Sequence, residues 1–197
     1  MKTAGRIGEP SRKRLWFWWL VFIALVVLIV LLALSVDSLR KPAESAQPGL
    51  YSVSQFIDGD TIAVDMNGSV ETIRMIGVDT PETHNPDTPV QCYGQEATDY
   101  TKRLIGLDKV RLQADPLNTN RDRYERLLRY VYLTDGTLLE EKIIENGYGF
   151  AYTQFPFSKA IQFKAKEVFA KSAGRGLWTA CTVTVQANGR AQTNPVQ

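Results

Sequence analysis

The sequence predicts an α+β fold: a five-stranded β-barrel with three helices, preceded by one N-terminal transmembrane helix. Three observations support this prediction. A run of twenty apolar residues lies near the N-terminus, five short β-rich runs follow it, and three later segments repeat apolar residues with helical spacing. The composition, 44% hydrophobic and 22% charged, is typical of a chain that folds.

The N-terminal run covers residues 15–34 and contains no charged residue, glycine or proline. A helix of that length is about 30 Å long, which matches the hydrocarbon core of a bilayer. Tryptophans at its N-terminal end suit the membrane interface. Basic residues are more numerous before the run than after it. The positive-inside rule therefore predicts a single-pass cell-membrane protein, with residues 1–14 as a basic cytoplasmic tail and the remainder outside the cytoplasm.

A cleaved signal peptide is the alternative interpretation of this run. The apolar region of a signal peptide has about 7–15 residues, which is shorter than the run seen here. Its nearest small-residue site, Ala33–Ser35, matches the A-x-A cleavage pattern poorly. The length favours an uncleaved signal anchor at residues 15–34. Both interpretations export the rest of the chain, the alternative giving a secreted protein.

Composition divides the remainder into three parts. Residues 35–49 are polar, contain two prolines and a glycine, and are predicted to be a linker. A folded domain is expected at residues 50–181, and a polar, flexible tail at residues 182–197. Residues 1–49 carry a net charge of +4 and residues 50–197 one of −2. Any affinity of the domain for nucleic acid therefore requires local basic patches.

Alternation of β-branched and aromatic residues predicts strands at residues 51–57, 61–66, 69–78, 110–114 and 127–133. Asn67-Gly68 between two of them is the strongest hairpin signal. Apolar spacing predicts helices at residues 93–105, 137–146 and 158–172. Ser158 is the expected N-cap of the last helix, with Ile161, Ala165, Val168 and Phe169 facing inward. Five strands and three helices are compatible with an OB-fold, a nucleic-acid-binding architecture.

Charged residues are concentrated among the first three strands. Asp58–Thr61 closes the first strand, Arg74 interrupts an apolar strand, and Asp79–Glu82 ends it. Carboxylates on a rigid frame suit a hard cation such as calcium, and phosphodiester cleavage requires charge stabilisation and an aligned water. Taken singly, the three features have simpler interpretations: a turn, an arginine that reaches solvent, and a helix start.

Six motifs follow one another along the domain: Ile57–Thr61, Arg74–Glu82, Tyr93–Ala97, Asp122–Leu128, Gly147–Gly149 and Gly176–Trp178. In order and spacing they resemble those of the staphylococcal nuclease (thermonuclease) family. The resemblance covers residues 50–181, nearly the whole exported domain. The combination of D-G-D-T, R-x4-D-T-P-E and D-R-Y-x-R in this order is highly specific.

The resemblance implies an OB-fold nuclease domain and calcium-dependent hydrolysis of DNA and RNA that leaves 3′-phosphates. We also predict that single strands are favoured. It implies Ca²⁺ ligands from the carboxylates of Asp60 and Asp79 and from the carbonyl of Thr80. No protein partner can be inferred from the sequence.

The resemblance also implies the residues that act on the phosphate. Arg74 and Arg126 would bind the phosphate and stabilise the transition-state charge, and Glu82 would align or deprotonate the attacking water. The substrate-binding positions would be Arg123, Tyr124 and Tyr152.

Two features of the sequence need explanation. Arg74 and Asp79 are five residues apart, so a regular strand would direct them to opposite faces, and we expect a bulge or bend near Gly77. Glu125 occupies the position before Arg126 where the family has a glycine, and its charge is expected to weaken substrate binding.

Cys92 and Cys181 are the two cysteines, and an exported location favours a disulfide between them, whereas a cytosolic location would favour free thiols. His84 is the only histidine, so a zinc site or a histidine-based triad lacks its residues.

Three functional classes are compatible with these features: a nuclease, a catalytically weak or inactive OB-fold module that binds nucleic acid or protein at the membrane, and a structural membrane protein. Completeness of the acidic and arginine positions favours the enzyme, a hydrolase acting on phosphodiester bonds.

Overall fold

A computed structural model describes residues 12–39, 49–83 and 89–196, with the side chains of residues 12–15, 17 and 32–39 left outside the description. The chain divides into two compact units, residues 1–42 and 43–197. Each unit is described by itself. His84 and most of the predicted linker, residues 40–48, lie outside the described residues.

Within its described residues, the first unit contains one helix, α1 (Arg12–Leu39), of 28 residues. It includes the predicted transmembrane segment, residues 15–34. Across the described ranges, no helix combines the length and the apolar content needed to cross a membrane. The transmembrane span therefore stays a prediction.

The second unit contains nine strands and four helices within its described residues. The strands are β1 (Tyr51–Asp58), β2 (Thr61–Met66), β3 (Ser69–Met75), β4 (Val78–Asp79), β5 (Lys109–Gln113), β6 (Leu127–Tyr132), β7 (Phe150–Ala151), β8 (Val183–Val185) and β9 (Ala191–Thr193). The helices are α2 (Gly94–Ile105), α3 (Leu139–Glu145), α4 (Ala160–Ser172) and α5 (Leu177–Ala180).

The five predicted strands form a closed barrel in the order β1-β2-β3-β6-β5. β3 and β6 pair in parallel, and the other neighbours are antiparallel. The β2–β3 turn uses Asn67 and Gly68, both with positive φ, as the hairpin signal predicted. Ile62, Val64 and Ile73 are among the side chains with no exposed surface inside the barrel. Burial of each such side chain contributes about 1.5–3 kcal/mol to stability.

The predicted strand at residues 69–78 is broken after Met75. Gly77 has φ of +75°, and a Cβ placed there would lie 2.5 Å from the ring of Phe157. Only glycine combines that backbone conformation with so close a neighbour. After the break, β4 pairs with β7 instead of continuing in the barrel. The expected irregularity near Gly77 is therefore present, and it turns the chain toward the β1–β2 corner.

The last long helix begins later than expected and buries a different face. Ser158 does not cap α4, because its amide and hydroxyl both donate to Asp115, at 2.7 and 3.2 Å. Ile161 is 89% exposed, whereas Glu167 is buried and accepts a hydrogen bond from the amide of Ala151. The predicted inward face was wrong because the buried face contains a carboxylate that satisfies a buried backbone donor, which an apolar pattern does not reveal.

The segment expected to be a flexible tail, residues 182–197, contains the β8–β9 hairpin. Asn188-Gly189 forms its turn, with Gly189 at φ of +82°. The predicted disulfide joins Cys92 to Cys181 immediately before the hairpin. Backbone hydrogen bonds from Cys92 to Asn194 and from Val196 to Val90 hold the far end of the segment. A covalent link and non-local hydrogen bonds thus order a sequence whose composition is typical of a flexible tail.

Candidate active site

Arg74 lies between two buried carboxylates. Its Nη1 is 3.2 Å from Asp60 Oδ1, and its Nη2 is 3.0 Å from Asp79 Oδ1. Nη1 also donates to the carbonyls of Met75 and Val78, at 3.0 and 2.8 Å. These carbonyls belong to the turn around Gly77, so the break in the strand both curves the chain around the guanidinium and supplies two of its acceptors.

Arg74 and Asp79 each stabilise the charged form of the other. Burial raises the pKa of Asp79, and the Arg74 guanidinium opposes that rise. Burial acts to lower the pKa of Arg74, but Asp60 and Asp79 outweigh it and raise that pKa. Arg74 therefore stays charged, and its charge favours the ionised form of Asp79.

Asp60 is fixed by the β1–β2 corner. Its Oδ2 accepts the amide of Thr80 at 2.7 Å, and its Oδ1 accepts the hydroxyl of Thr61 at 2.9 Å. The Asp60 amide in turn donates to Asp58 Oδ1 at 3.1 Å. Burial, with the neighbouring Asp60 carboxylate, raises the pKa of Asp58 to about 8. Three predicted metal ligands, Asp60, Asp79 and Thr80, are thus brought together, with Asp58 beside them.

Arg190 is a residue of this group that the sequence analysis missed. From the β8–β9 hairpin, its Nε donates to Asp79 Oδ2 at 2.8 Å and its Nη2 to Asp79 Oδ1 at 3.1 Å. The hairpin itself had a local signal, Asn188-Gly189 between β-rich runs. Its position against Asp79, 111 residues earlier, had none.

Arg126 ends the loop that leads into β6. Its backbone amide and side-chain Nε donate to the two carboxylate oxygens of Asp122, at 3.0 and 2.8 Å. Arg74 pairs with Leu128 between β3 and β6, so Arg126 lies two residues before the position that neighbours Arg74. Within residues 49–83 and 89–196, Arg126 forms its ion pair with Asp122 and not with Asp60 or Asp79.

The predicted substrate-binding residues divide between two places. Arg123 and Tyr124 lie on the same loop as Arg126, where Arg123 Nη2 donates to the Tyr124 hydroxyl at 2.6 Å. Tyr124 is 62% exposed, so its ring is accessible to a ligand. Tyr152 follows β7 and donates its backbone amide to the carbonyl of Gly77. Tyr152 is therefore next to the turn that shapes the carboxylate group.

Glu82 lies just after the group, three residues beyond Asp79. Its backbone amide donates to Gln91 Oε1 at 3.0 Å, and one of its carboxylate oxygens accepts the amide of Thr83 at 3.1 Å. These hydrogen bonds fix the chain just before residues 84–88, which lie outside the described residues.

A cavity of about 630 Å³ adjoins Asp79. Asp79 and Arg190 line one part of it, and Tyr152, Lys164 and Lys171 line others. Lys164 is paired with Glu167 at 2.6 Å. The cavity thus combines an aromatic ring and several cationic groups at the edge of the Asp79 site, a suitable environment for part of a nucleotide.

Comparisons with known proteins identify the family of this chain. The family model described as "Staphylococcal nuclease homologue" matches residues 72–180. The thermonuclease of Staphylococcus hyicus is 41% identical over 138 residues, which cover 68% of this chain and 79% of that protein. This chain belongs to the staphylococcal nuclease family.

Two relatives from Bacillus subtilis (strain 168) are also 41% identical. The endonuclease YncB matches over 142 residues, 70% of this chain and 66% of the relative. The SPbeta prophage-derived endonuclease YokF matches over 130 residues, 65% of this chain but 43% of the relative. The chain thus spans between 43% and 79% of the length of these three relatives. Membership confirms the predicted OB-fold and the predicted enzyme class, a nuclease that hydrolyses phosphodiester bonds.

Nucleases of this family depend on a metal ion, and the residues around Arg74 fit one. Hard divalent cations prefer carboxylate and carbonyl oxygens, and Asp60 and Asp79 converge on one cationic group from two sides. The described side chains include no group of three or more His, Cys, Asp or Glu that could hold a metal. A metal here would therefore require the predicted Thr80 carbonyl, or water, in addition to the two carboxylates.

Proposed function

We propose that this nuclease is calcium-dependent, hydrolyses DNA and RNA with a preference for single strands, and leaves 3′-phosphates. One observation supports the proposal above all: Arg74 holds Asp60 and Asp79 together, both buried, at distances of 3.2 and 3.0 Å. Two converging carboxylates beside a permanently charged guanidinium provide a cation site and a phosphate site within a few ångströms.

Each residue of the site has a separate role in the proposed reaction. Asp60, Asp79 and the Thr80 carbonyl would hold Ca²⁺, which when bound neutralises charge on the phosphate. Arg74 and Arg126 provide planar N–H donors that suit the equatorial oxygens of the transition state. Glu82 orients the attacking water or takes its proton.

Binding of the substrate is assigned to the exposed loop and the adjoining cavity. Arg123 and Tyr124 contact the nucleotide from the loop before β6, and Tyr152 contacts it beside Asp79. Stacking on exposed rings favours unpaired bases, which supports the preference for single strands.

We further propose that residues 15–34 anchor the enzyme in the cell membrane, with the catalytic domain outside the cytoplasm. The apolar length and the preceding basic residues support this. The Cys92–Cys181 disulfide is consistent with an oxidising location. Immunoblots of membrane and soluble fractions test the anchor, and a soluble product lacking residues 1–34 would indicate secretion after cleavage.

A module that binds nucleic acid without cutting it is the second candidate. It is favoured by the contacts of Arg190 with both oxygens of Asp79. As long as Arg190 donates to both oxygens of Asp79, a metal ion cannot coordinate that carboxylate through both oxygens.

The deciding experiment is a nuclease assay on the purified full chain in detergent, with labelled single-stranded DNA, duplex DNA and RNA. We expect cleavage in calcium, none in excess EGTA, and products ending in 3′-phosphate. Asp79→Asn and Arg126→Ala should each lower the rate by about 10²-fold or more. Arg111→Gln, a change on β5 at the ring of Tyr132, is the control. Intact substrate that is nevertheless retained in a binding assay would support the second candidate.

A further inference from the structure

The Asp79 carboxylate has little accepting capacity left for a metal ion, because two arginines occupy three of its about four lone-pair sites. Its Oδ1 accepts from both Arg74 and Arg190, and its Oδ2 accepts the Nε of Arg190. Arg190 thus forms a two-point guanidinium–carboxylate pair, the strongest geometry available to these side chains. A divalent cation at Asp79 would compete for the same lone pairs and repel the guanidinium.

Asp60 also accepts three contacts, but the origin of its partners is different. Its partners are Arg74, the Thr61 hydroxyl and the Thr80 amide, all of which belong to the barrel corner. Arg190 is different in origin, because it belongs to the separate β8–β9 hairpin. Arg190 can therefore move away from Asp79 without any rearrangement of the barrel.

The hairpin keeps Arg190 close to Asp79 even if the pair opens. The Cys92–Cys181 disulfide holds one end of the hairpin segment, and the Thr193 hydroxyl donates to the Cys92 carbonyl at 2.7 Å near the other. Arg190 itself is about half exposed, with 44% of its side-chain surface accessible. A tethered group that reaches solvent can exchange with a competitor while its effective concentration stays high.

We propose that Arg190 is an intramolecular competitor of the metal ion: it neutralises Asp79 in the metal-free enzyme and sets the calcium affinity by having to be displaced. The inference rests on the proposed calcium site at Asp60 and Asp79. Because linkage is reciprocal, calcium weakens the contact of the hairpin with the barrel by the same factor by which the hairpin weakens calcium binding.

Calorimetric titration of the full chain in detergent with CaCl₂ alone tests the proposal. Arg190→Gln should bind calcium more tightly than wild type, by about 5- to 150-fold, the usual range of coupling between sites. Arg190→Lys, which offers a single point of contact, should lie between them. Arg111→Gln removes the same charge from β5, where Arg111 lies over the Tyr132 ring, and should leave the affinity unchanged.

Hydrogen exchange gives a second readout that does not depend on a variant. Calcium should speed exchange of the hairpin amides, such as that of Gln186, which donates to the Arg190 carbonyl at 2.8 Å. Equal or weaker calcium affinity in Arg190→Gln, with wild type binding calcium, would overturn the inference and leave the proposed function intact. Absence of calcium binding in both proteins would overturn the metal site itself, and the inference with it.

Discussion

Arg74 Nη2 and Asp79 Oδ1 are 3.0 Å apart, although an odd spacing of five residues would place them on opposite faces of a regular strand. The turn at Ile76-Gly77 between β3 and β4 reverses that alternation. The phosphate-binding candidate and the metal-binding candidate thus meet because the strand is broken between them.

Gly77→Ala should therefore damage both stability and activity. A Cβ would lie 2.5 Å from the Phe157 ring, on a backbone with φ of +75°. We expect the free energy of unfolding to fall by about 2–5 kcal/mol, from overpacking and left-handed backbone strain combined. Urea denaturation measures the effect.

Gly136→Ala is the matched control for that substitution. Gly136 also has a positive φ, +86°, but a Cβ there would have no neighbour within 4 Å. It should lose only about 1–2 kcal/mol and keep full activity. Equal losses in the two variants would mean that contact with Phe157 does not constrain the turn.

Arg74→Lys should fail to replace the arginine. The guanidinium contacts two carboxylates and two carbonyls, and a single ammonium group cannot reproduce that planar set. We expect rates at least about 10²-fold lower for Arg74→Lys and Arg74→Ala under saturating calcium. The metal-free Ala variant should also be less stable by about 3–5 kcal/mol, because two buried carboxylates lose a partner. A Lys variant with wild-type kcat would contradict the assigned role.

Glu125 combines backbone strain with an unfavourable charge, and two substitutions separate these effects. Its φ is +62°, and it precedes Arg126. Glu125→Gly should lower KM for nucleic acid at low salt and raise stability by up to about 1 kcal/mol, because glycine adopts this conformation freely. Glu125→Gln removes the charge but keeps the strain, so it should lower KM without the gain in stability. If KM is unchanged in both variants across a salt series, the charge at this position does not affect binding.

Glu140 is predicted to make stability depend on pH. Burial raises the pKa of its carboxyl well above the ordinary value of 4.5, and Oε1 accepts the amide of Val131 at 2.9 Å. The stability contributed by the protonated carboxyl is complete below the unfolded-state pKa, and it is lost as the pH rises through the folded-state pKa.

Glu140→Gln keeps the amide acceptor and cannot ionise. Between pH 4.5 and the folded-state pKa, wild type should lose stability relative to the variant by up to about 1.4 kcal/mol per pH unit. Urea denaturation of both proteins over a pH series measures the difference. Parallel curves would show that Glu140 does not titrate across this range.

Local sequence signals determined much of this molecule. Alternating β-branched residues located the five barrel strands, and Asn67-Gly68 located the turn between β2 and β3, because strand and hairpin preferences act over a few residues. The motifs from Asp58 to Glu82 identified the chemistry for a similar reason: most of the site is built from one continuous stretch of chain around a corner of the barrel.

Tertiary structure alone decided what distant parts of the chain contribute. The buried face of α4 includes Glu167 because a distant backbone amide, that of Ala151, needs an acceptor. Arg190 contacts Asp79 because a disulfide and non-local hydrogen bonds bring the C-terminal hairpin to the barrel. A contact between two residues that are 111 positions apart produces no local pattern in the sequence. Such a contact can therefore be recognised only in the folded structure.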